Sequence, residues 1–180
     1  MRLSRLHGQH DEDHDHARRR LHMMEEDVRR LEQAVTAHET DLRQRVDTRG
    51  ENFKIMLVGR THEERAEAGA MLVGLADRQK SARGPVELGN FAGFRLEFRP
   101  FVQGEVTLCG AMSYHANVSG NPLGVISSLE HAARSIEERM ANAREGLART
   151  RQNITEMSAL MGLPLRARVA VSRGGRPARG

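Results

Sequence analysis

Aromatic side chains are nearly missing from this chain. It holds five Phe, one Tyr and no Trp in 180 residues, and all six lie between Phe53 and Tyr114. An aromatic core can form only in the middle, and the flanks must gain stability from helix packing. Cys109 is the one cysteine, which excludes an internal disulfide and fits a reducing compartment. No apolar run approaches the roughly 20 residues that span a bilayer, and the N-terminus lacks the apolar segment of a signal peptide. These absences predict a cytoplasmic protein that does not meet a membrane. Acids are absent from residues 166–180, which carry Arg166, Arg168, Arg173, Arg176 and Arg179. Of 28 basic residues five lie there, so 23 basic face 24 acidic residues elsewhere, and the net charge of +4 belongs to the tail. That weakens any argument from overall charge to nucleic-acid binding by the folded part.

What is present is helical periodicity. Ile126, Leu129, Ala133, Ile136, Met140, Ala143, Leu147, Thr150, Ile154, Met157 and Met161 recur at three-four spacing, the pattern of a helix packed along a narrow apolar stripe. Leu21, Met24, Val28, Leu31, Val35, His38 and Leu42 repeat that spacing near the other end. Opposed charges, with Arg18 to Arg20 one or two turns before Glu25 to Asp27, keep the outer face of this first helix wet. The expected fold is α+β: two long heptad-patterned helices form an antiparallel coiled-coil stalk around a small β-α-β-β-β head. The expected division is a polar His/Asp-rich leader over 1–16, a helix over 17–49 with Gly50 as its C-terminal cap, the head over 50–121, a second helix over 122–161, and a disordered Arg/Gly-rich tail over 162–180.

Within the head, Phe53 to Val58 is short and apolar and is closed by Gly59, as in a buried strand. Thr61 with Glu64 three residues later reads as a capping box that starts a helix. That helix is expected to bury Ala66, Gly69, Ala70, Val73 and Ala76, with Leu72 flanking; Gly69 implies tight packing, because glycine inside a helix costs about 1 kcal/mol relative to Ala. Three further strands are expected at Val86 to Leu88, Phe94 to Phe101 and Val106 to about Val118. The second alternates, with Phe94, Leu96 and Phe98 on one face and Arg95, Glu97 and Arg99 on the other.

No catalytic motif stands up. Asp11-Glu12-Asp13-His14 lacks the apolar strand that an Asp-Glu-x-His helicase box needs in front of it. Gly59-Arg60-Thr61 lacks the lysine and the longer loop of a P-loop. Asn121-Pro122-Leu123-Gly124 lacks the second proline and the aromatic of an adenine-methyltransferase motif, and reads as a turn into a helix. Cys109 and His115 read as a buried thiol and a surface imidazole rather than a catalytic pair. No cofactor is expected. His7, His10 and His14 fall on one face of a helical extension and are a weak candidate for a transition metal, against the plainer reading of a solvated helix end. Arg65, Arg95, Arg99, Arg78, Lys80 and Arg83 are candidates for a phosphate-contacting surface. Glu87 and Glu97 dilute it, and a solvated mixed face is the competing reading.

Several stretches carry a resemblance. Phe53-Lys54-Ile55-Met56-Leu57-Val58-Gly59, Glu64-Arg65-Ala66-Glu67-Ala68-Gly69, Gly89-Asn90-Phe91-Ala92-Gly93-Phe94, and Gly124 leading into the heptad helix resemble the C-terminal region of very large bacterial proteins of phages, plasmids and integrative elements. Those proteins join a Swi/Snf-type helicase to adenine-specific DNA methylase elements. The resemblance covers roughly residues 20 to 161. It implies a non-catalytic accessory fragment of a helicase-associated, DNA methylase-associated system, whose partners are DNA, or the helicase and methylase domains, or a second copy through the coiled coil. It does not imply ATP hydrolysis or methylation by this chain. The alternative is a coiled-coil protein-interaction module with no nucleic-acid role.

Overall fold

The structure is a computed structural model that describes residues 2–101, 104–118 and 120–162; for residues 2–7 and Gln9 it describes the backbone alone. Its elements follow from local chemistry. Helix α1 runs Arg2–Gln44. It ends where Gln44 and Val46 turn to another partner: Gln44 Nε2 donates to the Gly93 carbonyl at 2.6 Å, and the Val46 N–H donates to the Ala92 carbonyl at 3.0 Å. A single 3-10 turn over Gly50–Asn52 leads into strand β1, Ile55–Leu57. Val58 and Gly59 then reverse the chain with φ of 48° and 76°, positive at both central positions as a two-residue type I′ hairpin requires, and strand β2 follows at Arg60–His62. Helix α2 is Arg65–Arg78. Strands β3 (Val86–Phe91), β4 (Phe94–Arg99), β5 (Glu105–Cys109) and β6 (Ser113–Asn117) form a meander. Helix α3 is Pro122–Leu160. Proline sits in its first turn, and Asn121 Oδ1 accepts from the N–H groups of Leu123 (3.2 Å) and Gly124 (3.4 Å), a side-chain cap.

The six strands form one antiparallel sheet in the order β2-β1-β3-β4-β5-β6. One face is apolar. Ile55, Leu57, Phe91, Phe94, Leu96, Phe98, Val106, Leu108, Tyr114 and Ala116 are buried there in one core with Ala68, Leu72, Leu75 and Ala76 of α2 and Val125, Ile126, Leu129, Ala132, Ala133 and Ile136 of α3. The chain divides into two units, residues 32–144, which hold the sheet, and residues 1–31 with 145–180. In the second unit Leu21, Met24, Val28, Leu31, Leu147, Ile154 and Met157 are half-buried while most neighbouring positions are exposed.

This overturns the expected architecture. The described residues form three α-helices and a six-stranded antiparallel sheet, not a coiled-coil stalk around a small β-α-β-β-β head. The reason lies in α3. Its periodic positions from Ile126 to Ile136 are buried, but so are Val125 and Ala132 beside them, and a stripe two residues wide covers a sheet rather than a single helix. Three local readings fail with it. Thr61 lies in β2, and α2 begins after Glu64, which makes no side-chain cap. The α2 face is Ala68, Gly69, Leu72, Leu75 and Ala76, with Ala66 and Ala70 exposed. The stretch from Val106 to Val118 is two strands with a turn at Gly110 to Met112, not one. At the ends, residues 2–16 continue α1 rather than forming a separate leader, Gly50 lies beyond the helix, and the tail from residue 163 lies outside the described residues.

Val58 is 63% exposed and β-branched, so its positive φ costs about 1 to 2 kcal/mol with little packing in return. Val58→Asn, the residue favoured at this turn position, is expected to stabilise the chain by about 1 kcal/mol. The check is a rise in the urea midpoint with an unchanged slope.

Candidate functional site

The face of the sheet away from the core is polar, and register sets its order. Glu87, Glu97, Thr107 and His115 align across β3 to β6; Arg95, Cys109 and Ser113 form the next row, and Arg99, Glu105 and Asn117 the other neighbour. Charges within this lattice are matched. Arg95 lies 3.9 Å from Glu87 and 3.5 Å from Glu97, and Arg99 Nε lies 3.4 Å from Glu97. His115 Nδ1 is 2.5 Å from Glu105 Oε1, and the Thr107 hydroxyl sits between them, 3.2 Å from the ring nitrogen. Cys109 is half-buried; its burial, and secondarily Glu97, push its thiol above the ordinary range against the pull of Arg95. A protonated thiol on a flat face, one row from His115, is not an activated nucleophile.

Arg65 occupies a different place. Its guanidinium lies 4.6 Å over the Phe53 ring, donates through Nε (3.1 Å) and Nη2 (3.0 Å) to Glu130 of α3, and reaches the carbonyls of Gly50 (3.3 Å) and Thr48 (3.4 Å). It therefore clamps the loop after α1 to α3. Arg45 acts similarly on α3, donating to Glu137 (2.5 Å) and to the Ala133 carbonyl (3.1 Å), which holds the Glu137 carboxyl below its usual range. Arg45, Arg65, Glu130 and Glu137, with Asp47, Arg49 and Arg134, line a cleft of about 520 Å³. At the end of α2, Lys80 pairs with Asp77 at 2.7 Å, Arg78 Nε donates to the Gly74 carbonyl at 3.2 Å, and Arg83 is exposed. The structure thus separates the candidate phosphate contacts into three places: the sheet face, the Arg65 clamp and the α2 end. The His7 side chain lies outside the described residues; the rings of His10 and His14 stack with centroids 6.4 Å apart, and no group of three metal-ligating side chains exists among the described residues.

The strongest polar constellation was not marked by any motif. Asp41, fully buried on α1, accepts from the N–H groups of Ala111 (2.6 Å) and Met112 (2.9 Å) and from the Tyr114 hydroxyl (2.7 Å). His38 Nδ1, one turn earlier, is 2.9 Å from the same hydroxyl. Because that hydroxyl donates to Asp41, the His38 Nδ1–H is the donor in the second bond. Arg139 of α3 lies 5.6 Å from the centre of the Tyr114 ring. Burial, with help from Asp41, raises the Tyr114 hydroxyl above its usual range, so it stays protonated and keeps donating. The network joins α1 to the β5–β6 turn. Its one sequence clue was a histidine at a stripe position with an aspartate three residues later.

Burial lowers the His38 pKa from 6.5, aided by Arg139 and opposed by Asp41. A folded state that prefers neutral imidazole binds fewer protons than the unfolded chain, so its stabilising effect is complete above about pH 6.5 and is lost progressively as pH falls below it. Thermal unfolding between about pH 7.5 and 5 is expected to show a falling Tm whose slope becomes shallower in His38→Asn.

No helix among the described residues is long and apolar enough to cross a membrane. Compared with known proteins, the chain is matched by no family model, no curated protein and no solved structure.

Proposed function

We propose that this chain is a non-catalytic, cytoplasmic accessory module of a helicase/DNA-methylase-type system of mobile elements, and that it acts by docking on the protein components of that system rather than by reading DNA phosphates through its sheet. The resemblance in residues 53–59, 64–69 and 89–94 supplies the system. The observation that favours protein over phosphate is the pairing of Arg65 with Glu130, and of Arg95 and Arg99 with Glu87 and Glu97. DNA binding gains its free energy from cations that displace condensed counterions from phosphate. An arginine already facing a carboxylate gives up that partner on reaching a phosphate, and the net gain is small. In this reading any DNA affinity of the whole chain resides in the five arginines of residues 166–180.

Fluorescence anisotropy with duplex DNA, at about 50 and 200 mM salt, tests this on the full chain and on a version ending at Leu165. Binding by the full chain is expected to fall with salt and to drop at least about tenfold in the shortened version. Retained binding by the shortened version, lost on Arg95→Ala with Arg99→Ala, would establish the sheet face as a DNA surface and sink the reading. Co-elution of the full chain with a purified helicase–methylase protein of the same element is the positive arm.

A further inference from the structure

In the unit of residues 1–31 and 145–180, α1 and α3 flank a shallow, open groove of about 500 Å³, lined by His16, Ala17, Arg19, Arg20, Met23 and Met157. Its floor is apolar. Met23 stands 66% exposed beside it, unusual for a large apolar side chain on an otherwise charged helix. Methionine is unbranched and polarisable, and surfaces built on it adapt to apolar partners of varied shape.

The rim carries Arg19 and Arg20, and neither forms an ion pair among the described residues. Glu25 to Asp27 stand five or more residues beyond Arg20, outside the i+3 and i+4 spacing at which helical side chains meet, and the ion pairs that form there are His22–Glu26, Arg29–Glu26 and Arg30–Asp27. Arg19 Nε takes only the backbone carbonyl of Asp15, at 3.3 Å, and no carboxylate lies within ion-pair distance of Arg19 or Arg20 among the described residues. Glu156, next to Met157, is held by Gln152 at 3.0 Å. The contrast with the sheet face is plain: there the arginines are matched, and here they are not.

We infer that this groove is the docking site for an acidic, amphipathic helical segment of a partner protein, an inference that rests on the interaction-module reading and names its surface. A helix with leucine-like side chains on one face would cover Ala17 and Met157, pack against the exposed Met23, and set its carboxylates against Arg19 and Arg20. A concave apolar floor suits a ridge of side chains. It offers nothing to a DNA backbone, whose phosphates gain nothing from thioethers.

The test uses the full chain and a labelled synthetic peptide of about 15 residues, with leucines at helical i, i+3, i+4, i+7 spacing and glutamates elsewhere. A peptide of the same composition with the leucines scrambled is the control. The amphipathic peptide is expected to bind in the micromolar range. Met23→Glu should weaken binding at least about tenfold, and Arg19→Glu with Arg20→Glu should weaken it and abolish its salt dependence. All three positions are exposed, so the thermal melts should match wild type. Met23→Ala, which adds no charge, should weaken binding in the same direction. Equal binding of the scrambled peptide, or no effect of either Met23 variant, overturns the inference. If the helicase–methylase protein co-elutes with wild type and equally with Met23→Glu, the groove is wrong and the accessory reading stands. If the peptide binds as expected while that protein never co-elutes, the groove stands and the accessory reading falls.

Discussion

Asp41→Ala is expected to remove about 4 kcal/mol or more of stability, enough to unfold much of the population at ordinary temperature. The carboxylate takes three donors in a site with no access to water: the Ala111 and Met112 N–H groups and the Tyr114 hydroxyl. Alanine leaves all three without an acceptor, and each orphaned buried donor costs about 1 to 3 kcal/mol. Water cannot readily fill the gap, because the space around the carboxylate is already close-packed: a Cβ built on Gly110 would lie 2.9 Å from Phe94 Cε1 and closer still to Asp41 itself. Asp41→Asn keeps the shape but turns one acceptor into a donor, so one of the three partners faces an N–H; the expected loss is about half as large. Tyr114→Phe spares both backbone donors and orphans only His38 Nδ1, and should cost the least of the three. Urea unfolding of the series checks the order Ala > Asn > Phe. A loss below about 1 kcal/mol for Asp41→Ala would mean that α1 is not locked to the β5–β6 turn through this residue.

Which parts of this molecule can be read from its sequence depends on the range of the interaction. The periodic residues of both long helices are all buried or half-buried where their side chains are described, because an i, i+3, i+4 pattern reports a single face whatever covers it. What covers it is a long-range fact, and the pattern alone assigned α3 a helix partner when its first third lies on the sheet. The alternation from Phe94 to Arg99 was legible for the same local reason. The β1–β2 hairpin was not. Val58-Gly59 is an X-Gly reversal between two extended stretches, but Thr61-His62-Glu63-Glu64 imitates a capping box, and a three-residue strand is too short to declare its own period. Ala92-Gly93 repeats the device between β3 and β4, with φ of 52° and 85°. Among the candidate site residues, sequence found the arginines but not their partners. Glu130, which neutralises Arg65, is 65 positions away, while Glu97 lies next but one to both Arg95 and Arg99 and was correctly read as diluting them. Asp41 looked like one more charge on a charged helix until Tyr114 closed over it.

Two glycines of one helix are expected to respond to the same substitution with opposite signs, and the difference isolates packing from propensity. Gly69 and Gly74 both lie inside α2, five residues apart. Helix propensity alone predicts that replacing either with Ala stabilises the chain by about 1 kcal/mol. At Gly74 nothing opposes that gain, since a methyl there would meet only the Arg78 guanidinium at 4.0 Å. Gly74→Ala is therefore expected to raise stability by most of that amount. At Gly69 the methyl would run into the Pro122 carbonyl, and the Pro122 Cα would lie only 2.9 Å away. Those are backbone atoms at the capped start of α3, tied by Asn121, and they cannot swing aside as a flexible side chain would. Overpacking against backbone costs about 1 to 3 kcal/mol or more, which exceeds the propensity gain, so Gly69→Ala is expected to destabilise by about 2 kcal/mol, and Gly69→Val by more. Parallel urea titrations of the two alanine variants decide it. If both stabilise, α2 does not lie against the start of α3 as closely as the structure places it. Opposite signs would confirm that this contact, and not the helix itself, is what the glycine serves.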